Sequence, residues 1–343
     1  MAWTLPVSDR ELVNKAGRAI LSDDLNAEDY ENALLIVNNW RSAHNFPLNT
    51  FKISLINKAT KVDHSALVAQ RIKRLPSIKL KLQLIPSLKL SQVQDIGGCR
   101  AVLQNVTQVN KLVRIYQKSD LKHELLKIDD YISVPKKSGY RSIHLVYRYF
   151  SDRNTNYNGL KIEMQIRSIL QHSWATAVET VGTFLRQALK SSLGDEDWKR
   201  FFALMGTAIS IRERGNPVPN TPLKEGELKK EIREYDRKLK VERHLRAYHA
   251  ALRVSDTPVS KESKYFLLKL DSATETVTIR RYKSQELEQA SNDYLETEKS
   301  ILGQDGADAV LVSVQSLESL KRAYPNYFLD TDLFIRAVKE AVS

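Results

Sequence analysis

Four short segments hold the residue types that phosphate chemistry uses. Arg71-Ile-Lys73-Arg74-Leu-Pro-Ser77-Ile-Lys79-Leu-Lys81 places five cations in eleven residues. Such density neutralises a polyphosphate, and an arginine guanidinium also stacks on a purine face. Gln94-Asp95-Ile96-Gly97-Gly98-Cys99-Arg100 sets an acid at the mouth of a glycine turn that leads into a strand. A carboxylate so placed is a natural Mg²⁺ ligand beside nucleotide phosphates. Lys136-Lys137-Ser138-Gly139-Tyr140-Arg141-Ser142-Ile143-His144 reads as a basic loop presenting an aromatic ring, suited to stacking a base while cations hold its phosphates. In Glu163-Met164-Gln165-Ile166-Arg167, strand alternation puts Glu163, Gln165 and Arg167 on one face and Met164 and Ile166 on the other. Taken singly, each has an ordinary explanation as a turn, a half-buried strand or a solvated basic face.

The elements that must position these segments follow from the periodicities. Residues 1–60 read as helical, with Asn26 as an N-cap, Glu28 and Asp29 in the first turn, and Leu34, Leu35, Val37 and Trp40 near a 3.6 period. Residues 62–90 again read as mostly helical, broken by Pro76 and Pro86. Strands are expected at 99–103, 131–134, 142–149 and 160–166, with helices at 106–119 and 170–189. This order argues for an α+β domain with a small mixed sheet flanked by helices. A Pro-, Gly- and Asn-rich linker at 213–223 precedes a charged helix over about 225–253. Beyond it, strands at 265–270, 276–282 (around a turn at 271–274) and 309–314, with helices at 316–322 and 332–341, suffice for a second small α+β unit. The expected organisation is therefore 1–212, a linker and charged helix at 213–262, and a C-terminal domain at 263–343.

Composition narrows the classes. The net charge of +12 is uneven: residues 1–262 hold 43 Lys and Arg against 28 Asp and Glu, and residues 263–343 hold 10 against 13. A body at +15 beside a tail at −3 favours phosphate-rich partners for the first and masking by the second. The longest apolar stretch, 201–211, is too short to span a membrane, and residues 1–15 lack the features of a signal peptide. The single cysteine, Cys99, excludes an internal disulfide framework and reads as a buried strand residue. A cytoplasmic location is expected. The chain has no G-x-x-x-x-G-K-[ST] loop, no G-x-G-x-x-G turn and no H-E-x-x-H helix, so nucleotide handling would need another scaffold.

Together the four segments resemble the synthetase domain of the RelA/SpoT family, through R-I-K-R-x-x-S-I-K at 71–79, Q-D-I-G-G-C-R at 94–100, K-x-S-G-Y-R-S-I-H at 136–144 and E-M-Q-I-R at 163–167. His172 and Trp174 follow, where that family has a helix with a similar pair. The resemblance implies a nucleotidyltransferase-like fold and Mg²⁺-dependent transfer of the β,γ-pyrophosphate of ATP to a ribose 3′-hydroxyl. It implies that Arg71, Lys73, Lys81 and Arg100 hold ATP and that Asp95 and Glu163 bind the metal. Glu163 completes that metal site or takes the hydroxyl proton, and Tyr140 stacks the acceptor base. Lys137, Arg141, His144, Gln165 and Arg167 support the acceptor end.

The chain lacks a recognisable hydrolase domain ahead of this region and resembles the small alarmone synthetases, specifically the CapRel-type fused toxin–antitoxins. In that group a Tyr-x-x-Tyr element folds back on the ATP site, and Tyr324-Pro325-Asn326-Tyr327 matches it. The resemblance implies self-inhibition through Tyr324 and Tyr327, release by a phage structural protein, and the 3′ end of tRNA as acceptor. The basic body and the cations continuing through 229–246 fit a tRNA acceptor stem. The competing expectation is a synthetase that makes alarmone nucleotides from GDP or GTP.

Overall fold

The computed structural model describes residues 3–22, 24–188, 195–251, 253–256, 263–271, 274, 276–302, 304, 307–314, 317–328 and 330–343. Residue 189 of one expected helix, residue 316 of another and residues 272–273 of the expected turn lie outside them. The chain opens with three helices, α1 (Arg10–Ala19), α2 (Ala27–Ala43) and α3 (Asn45–Val62). Asn26 caps α2 as expected, its side chain accepting from the Asp29 N–H at 2.8 Å. Then come β1 (Leu67–Ile72), α4 (Leu75–Leu84), β2 (Gly97–Leu103), α5 (Val106–Gln117), β3 (Glu124–Asp130), β4 (Ile143–Arg148), β5 (Lys161–Ser168) and α6 (Ile169–Ala188). The helices α7 (Asp195–Arg212), α8 (Glu225–Leu239) and α9 (Val241–Ala251) follow. The C-terminal part adds β6 (Arg253–Asp256), β7 (Ser263–Asp271), β8 (Thr276–Lys283), α10 (Leu287–Ser300), β9 (Ala307–Ser313), α11 (Leu317–Ala323) and α12 (Asp332–Val342).

The architecture is α+β, and its mixed sheet runs β3-β4-β5-β2-β1-β9-β7-β8-β6 among the described residues. The pairs β2–β5 and β6–β8 are parallel and the others antiparallel. The sheet is larger than the small one expected because β9 pairs with β1, matching Gln70 with Ser313 and Arg71 with Val312. That pairing gives the unpaired backbone of β1 its partners, and the C-terminal strands continue from there. Leu67, Ala69 and Val102 of the body share one buried cluster with Phe266, Val312, Tyr324 and Tyr327 of the tail. The helix α12 buries Phe334, Ile335 and Val338 against α6, α7, α8 and α9.

Three local readings are corrected. Residues 67–72 form a strand, not a helix: β1 lies between β2 and β9 and is buried on both faces, so it shows no alternation. Residues 131–134 are a turn and the strand lies earlier, at β3. The Asp130 carboxylate accepts from Ile132 N–H at 3.0 Å and Ser133 N–H at 2.9 Å and ends the strand there. The charged helix breaks at Lys240, whose φ of 46° is left-handed, so that Leu239, Val241 and Leu245 all enter one core. The sequence reading passed over α10, which buries Leu287, Ala290, Tyr294 and Leu295 at helical spacing together with Glu298.

Candidate active site

The sheet register assembles the site. Across β1, β2 and β5, Arg71 lies opposite Gly98 and Gly98 opposite Glu163, while one row away Ala69, Arg100 and Gln165 align. Directly opposed residues share a face, so Arg71, Arg100, Glu163 and Gln165 look onto one cleft. Gly98 contributes no side chain to it, leaving room between Arg71 and Glu163. Met164 and Ile166 are buried on the opposite face, as alternation requires. Cys99 is buried in the strand as expected.

Asp95, in the turn before β2, is gripped by Lys73 Nζ at 2.7 Å and by Lys81 Nζ, from α4, at 2.8 Å. Burial pushes its carboxyl upward, but the two ammonium groups outweigh that and hold it below its ordinary value. Glu163 receives the His144 Nδ1–H at 3.0 Å and the Gln165 amide at 2.8 Å. Burial raises it too, and the His144 contact prevails, leaving it depressed and ionised. Nε2 of His144 lies within hydrogen-bond distance, 2.8 Å, of the Tyr140 hydroxyl. The Tyr140 ring lies edge-on to Trp174, whose indole N–H donates to Phe202 O at 2.9 Å. Lys136 lies over the rings of Tyr131 and Tyr140 at 4.2 and 5.5 Å, while Lys137 is exposed on the same loop.

Arg141 and Arg167 differ from what an acceptor role needs. Arg141 is buried and paired with Glu213 at 3.1 Å, at the end of α7, so it braces the loop from behind. Arg167 is buried against His172, and burial followed by repulsion from Arg100 pulls its guanidinium down to about 9. His172 in turn donates through Nε2 to the Arg322 carbonyl at 3.1 Å, tying α6 to α11.

The tail closes the cleft. Tyr324 lines it together with Arg71, Lys73, Asp95, Arg100 and Glu163, and about 30 Å³ of space remains, room for about one water. The Arg100 guanidinium lies 5.9 Å from the Tyr324 ring centre and donates to Ala323 O at 3.4 Å. The Tyr324 hydroxyl donates to Gln70 O at 3.1 Å. Tyr327 does not line this cleft: its hydroxyl donates to Asp308 at 2.9 Å, and Asp308 pairs with Arg74. Sequence reasoning passed over Arg74, although it belongs to the Arg71–Lys81 run, and it passed over Asp308 and Glu298. The two acids had no local signal, because their partners are more than 200 residues away in sequence. Glu298 pairs with buried Arg41 at 2.8 Å and accepts from the Leu75 N–H at 2.7 Å, so α10 is fastened to the start of α4.

Among the described residues no three His, Cys, Asp or Glu side chains cluster as a metal cage. Two carboxylates lining one cleft nevertheless fit Mg²⁺, which takes one or two protein carboxylates and leaves its other positions to phosphate and water oxygens. Asp95 and Glu163 are the residues that would hold it.

Residues 70–181 match the profile described as the region found in RelA / SpoT proteins. The GTP pyrophosphokinase YwaC of Bacillus subtilis (strain 168) is 28% identical over 184 residues, covering 51% of this chain and 85% of that protein. The GTP pyrophosphokinase YjbM of the same organism is 33% identical over 119 residues, covering 33% of this chain and 56% of that protein. The crystal structure of small alarmone synthetase 1 from Bacillus subtilis bound to pppGpp aligns at 23% identity with a TM-score of 0.42, over 50% of this chain and 89% of that one. A GTP pyrophosphokinase family protein from Streptococcus pneumoniae aligns at 26% identity and a TM-score of 0.42, over 55% and 91%. Residues 70–181 of this chain therefore match the region found in RelA / SpoT proteins, and its curated relatives include GTP pyrophosphokinases.

Proposed function

We propose that the chain is an ATP-dependent pyrophosphokinase held closed by its own C-terminal segment. One observation carries this reading: Asp95 and Glu163 share a cleft with Arg71, Lys73 and Arg100, and Tyr324 fills it. In the open state Arg71, Lys73, Lys81 and Arg100 bind the donor triphosphate and purine, and Mg²⁺ adds charge neutralisation when bound. The acceptor base stacks on Tyr140 with Lys137 and His144 beside it. The 3′-oxygen forms a bond to the β-phosphorus, the bond from the α-phosphate's bridging oxygen to that phosphorus breaks, and AMP leaves. The hydroxyl proton goes to Glu163, whose depressed pKa keeps it ready to accept. Such a transfer needs mainly positioning and charge neutralisation, which this cluster supplies.

The acceptor we favour is the 3′ end of tRNA, supported by the +15 charge of residues 1–262 and by the cation-rich α8 and α9. Release then comes from a partner that binds the open state better than the closed one; the resemblance to fused toxin–antitoxins points to a phage structural protein and a role in antiphage defence. A second reading is favoured by the names of the relatives, which are GTP pyrophosphokinases: transfer to GDP or GTP. Incubating the full chain and its Tyr324→Ala variant with γ-labelled ATP, Mg²⁺ and either bulk tRNA or GDP/GTP decides between them. Label on tRNA alone supports the first, label on the guanine nucleotide the second. Label on neither rejects pyrophosphate transfer.

A further inference from the structure

Arg74 belongs to the cation-rich run yet has no part in the donor site above. Its guanidinium pairs with the Asp308 carboxylate, presented by β9. The Tyr327 hydroxyl donates to the same carboxylate oxygen at 2.9 Å, which fixes that oxygen's position. Arg74 and Arg71 lie close enough to repel each other and feel the same Glu179 and Tyr327. Arg74 also directly follows Lys73, which grips Asp95. The pair sits at a seam, with the Arg74 side chain 31% and the Asp308 side chain 22% exposed.

A guanidinium fork binds carboxylate and phosphate oxygens through the same geometry. We propose that Arg74 is a phosphate-binding residue of the donor site, and that Asp308, oriented by Tyr327, stands in for a donor phosphate while the tail is closed. The proposal rests on the donor-site reading given above. It divides the work of the two tyrosines: Tyr324 fills the cleft beside Arg100, and Tyr327 steadies the anion on Arg74. It also makes closure and nucleotide binding mutually exclusive at one side chain, so each weakens the other by the same factor.

The test is binding of the α,β-methylene analogue of ATP, with Mg²⁺, to full-length chains by calorimetry. Asp308→Asn keeps the side-chain shape and an acceptor for Tyr327 while removing the charge, and should tighten binding about tenfold. Tyr327→Phe should tighten it by less, about two- to threefold. Arg74→Ala also breaks the latch but removes the phosphate contact, so it should bind no better than the parent chain. The Arg74→Ala/Asp308→Asn double variant should lose the gain of Asp308→Asn. If both Arg74 variants bind as tightly as Asp308→Asn, Asp308 is a structural latch only and the proposal is overturned. If Tyr324→Ala tightens binding and Asp308→Asn does not, the stand-in role fails while the donor site survives. If neither tightens binding, the donor-site reading itself falls.

Discussion

At the scale of single residues, the site works by opposing burial with charge. Glu163 would be neutral in an apolar pocket, but His144 and Gln165 occupy one lone pair on each of its oxygens and keep it ionised. Glu163→Gln keeps the shape and removes both the basicity and the negative charge, so transfer should fall at least about 100-fold in single-turnover assays. An unchanged transfer rate would remove Glu163 from the proton-accepting role. Elsewhere, buried His44 donates through Nδ1 to Trp40 O at 2.7 Å, and desolvation lowers its pKa from 6.5 to about 4. The unfolded chain thus binds a proton that the folded one refuses, and stability is lost as pH falls below 6.5. From His44 alone the loss between pH 7 and pH 5 should be about 2 kcal/mol. Urea titrations at the two pH values measure it, and His44→Gln should flatten that part of the slope.

At the scale of elements, the 136–144 loop depends on close backbone approach to α7. Gly139 has a φ of 95°, and a Cβ there would stand 2.7 Å from Phe202 O. From the other side, a Cβ on Gly206 would stand 2.8 Å from the Cα of Gly139. Gly139→Ala should cost about 1–3 kcal/mol and displace Tyr140. Its expected kinetic signature, in the Tyr324→Ala background, is an acceptor KM raised about tenfold with the ATP KM unchanged. Equal changes in both would mean that the loop does not serve the acceptor. The elements also mark what the sequence could tell. The alternation of β5, the Asn26 cap and the glycine turn into β2 are local signals legible one by one, whereas only the resemblance to the RelA/SpoT synthetase domain brought Asp95, Glu163 and Arg100 to one site. The strand β1 hid because two-sided burial erases period two. Arg141 looked like a ligand group because sequence gives no view of Glu213 behind it.

At the scale of the whole molecule, the tail is joined to the body rather than resting on it. The sheet continues from β1 into β9, and buried Arg41 is neutralised by Glu298, a contact whose loss would leave a charge unpaired in the interior. The Lys52 ammonium, buried in α3, donates to Ser313 at 2.7 Å, and burial draws its pKa down to about 8. In the proposed account, release would be driven by a partner that makes its own contacts with the open state, since thermal opening must break strand pairing and ion pairs together. The contacts nearest the chemistry are narrower: the Tyr324 ring at Arg100 and its hydroxyl on Gln70 O.

The most direct test is the rate of labelled pyrophosphate transfer from ATP by the full-length chain against its Tyr324→Ala variant, with tRNA and GDP/GTP supplied as acceptors in parallel. Removing the ring empties the cleft while leaving β9 and α12 in place, so the variant should transfer at least about tenfold faster than the parent chain. Equal rates in the two proteins would contradict a tail-restrained enzyme.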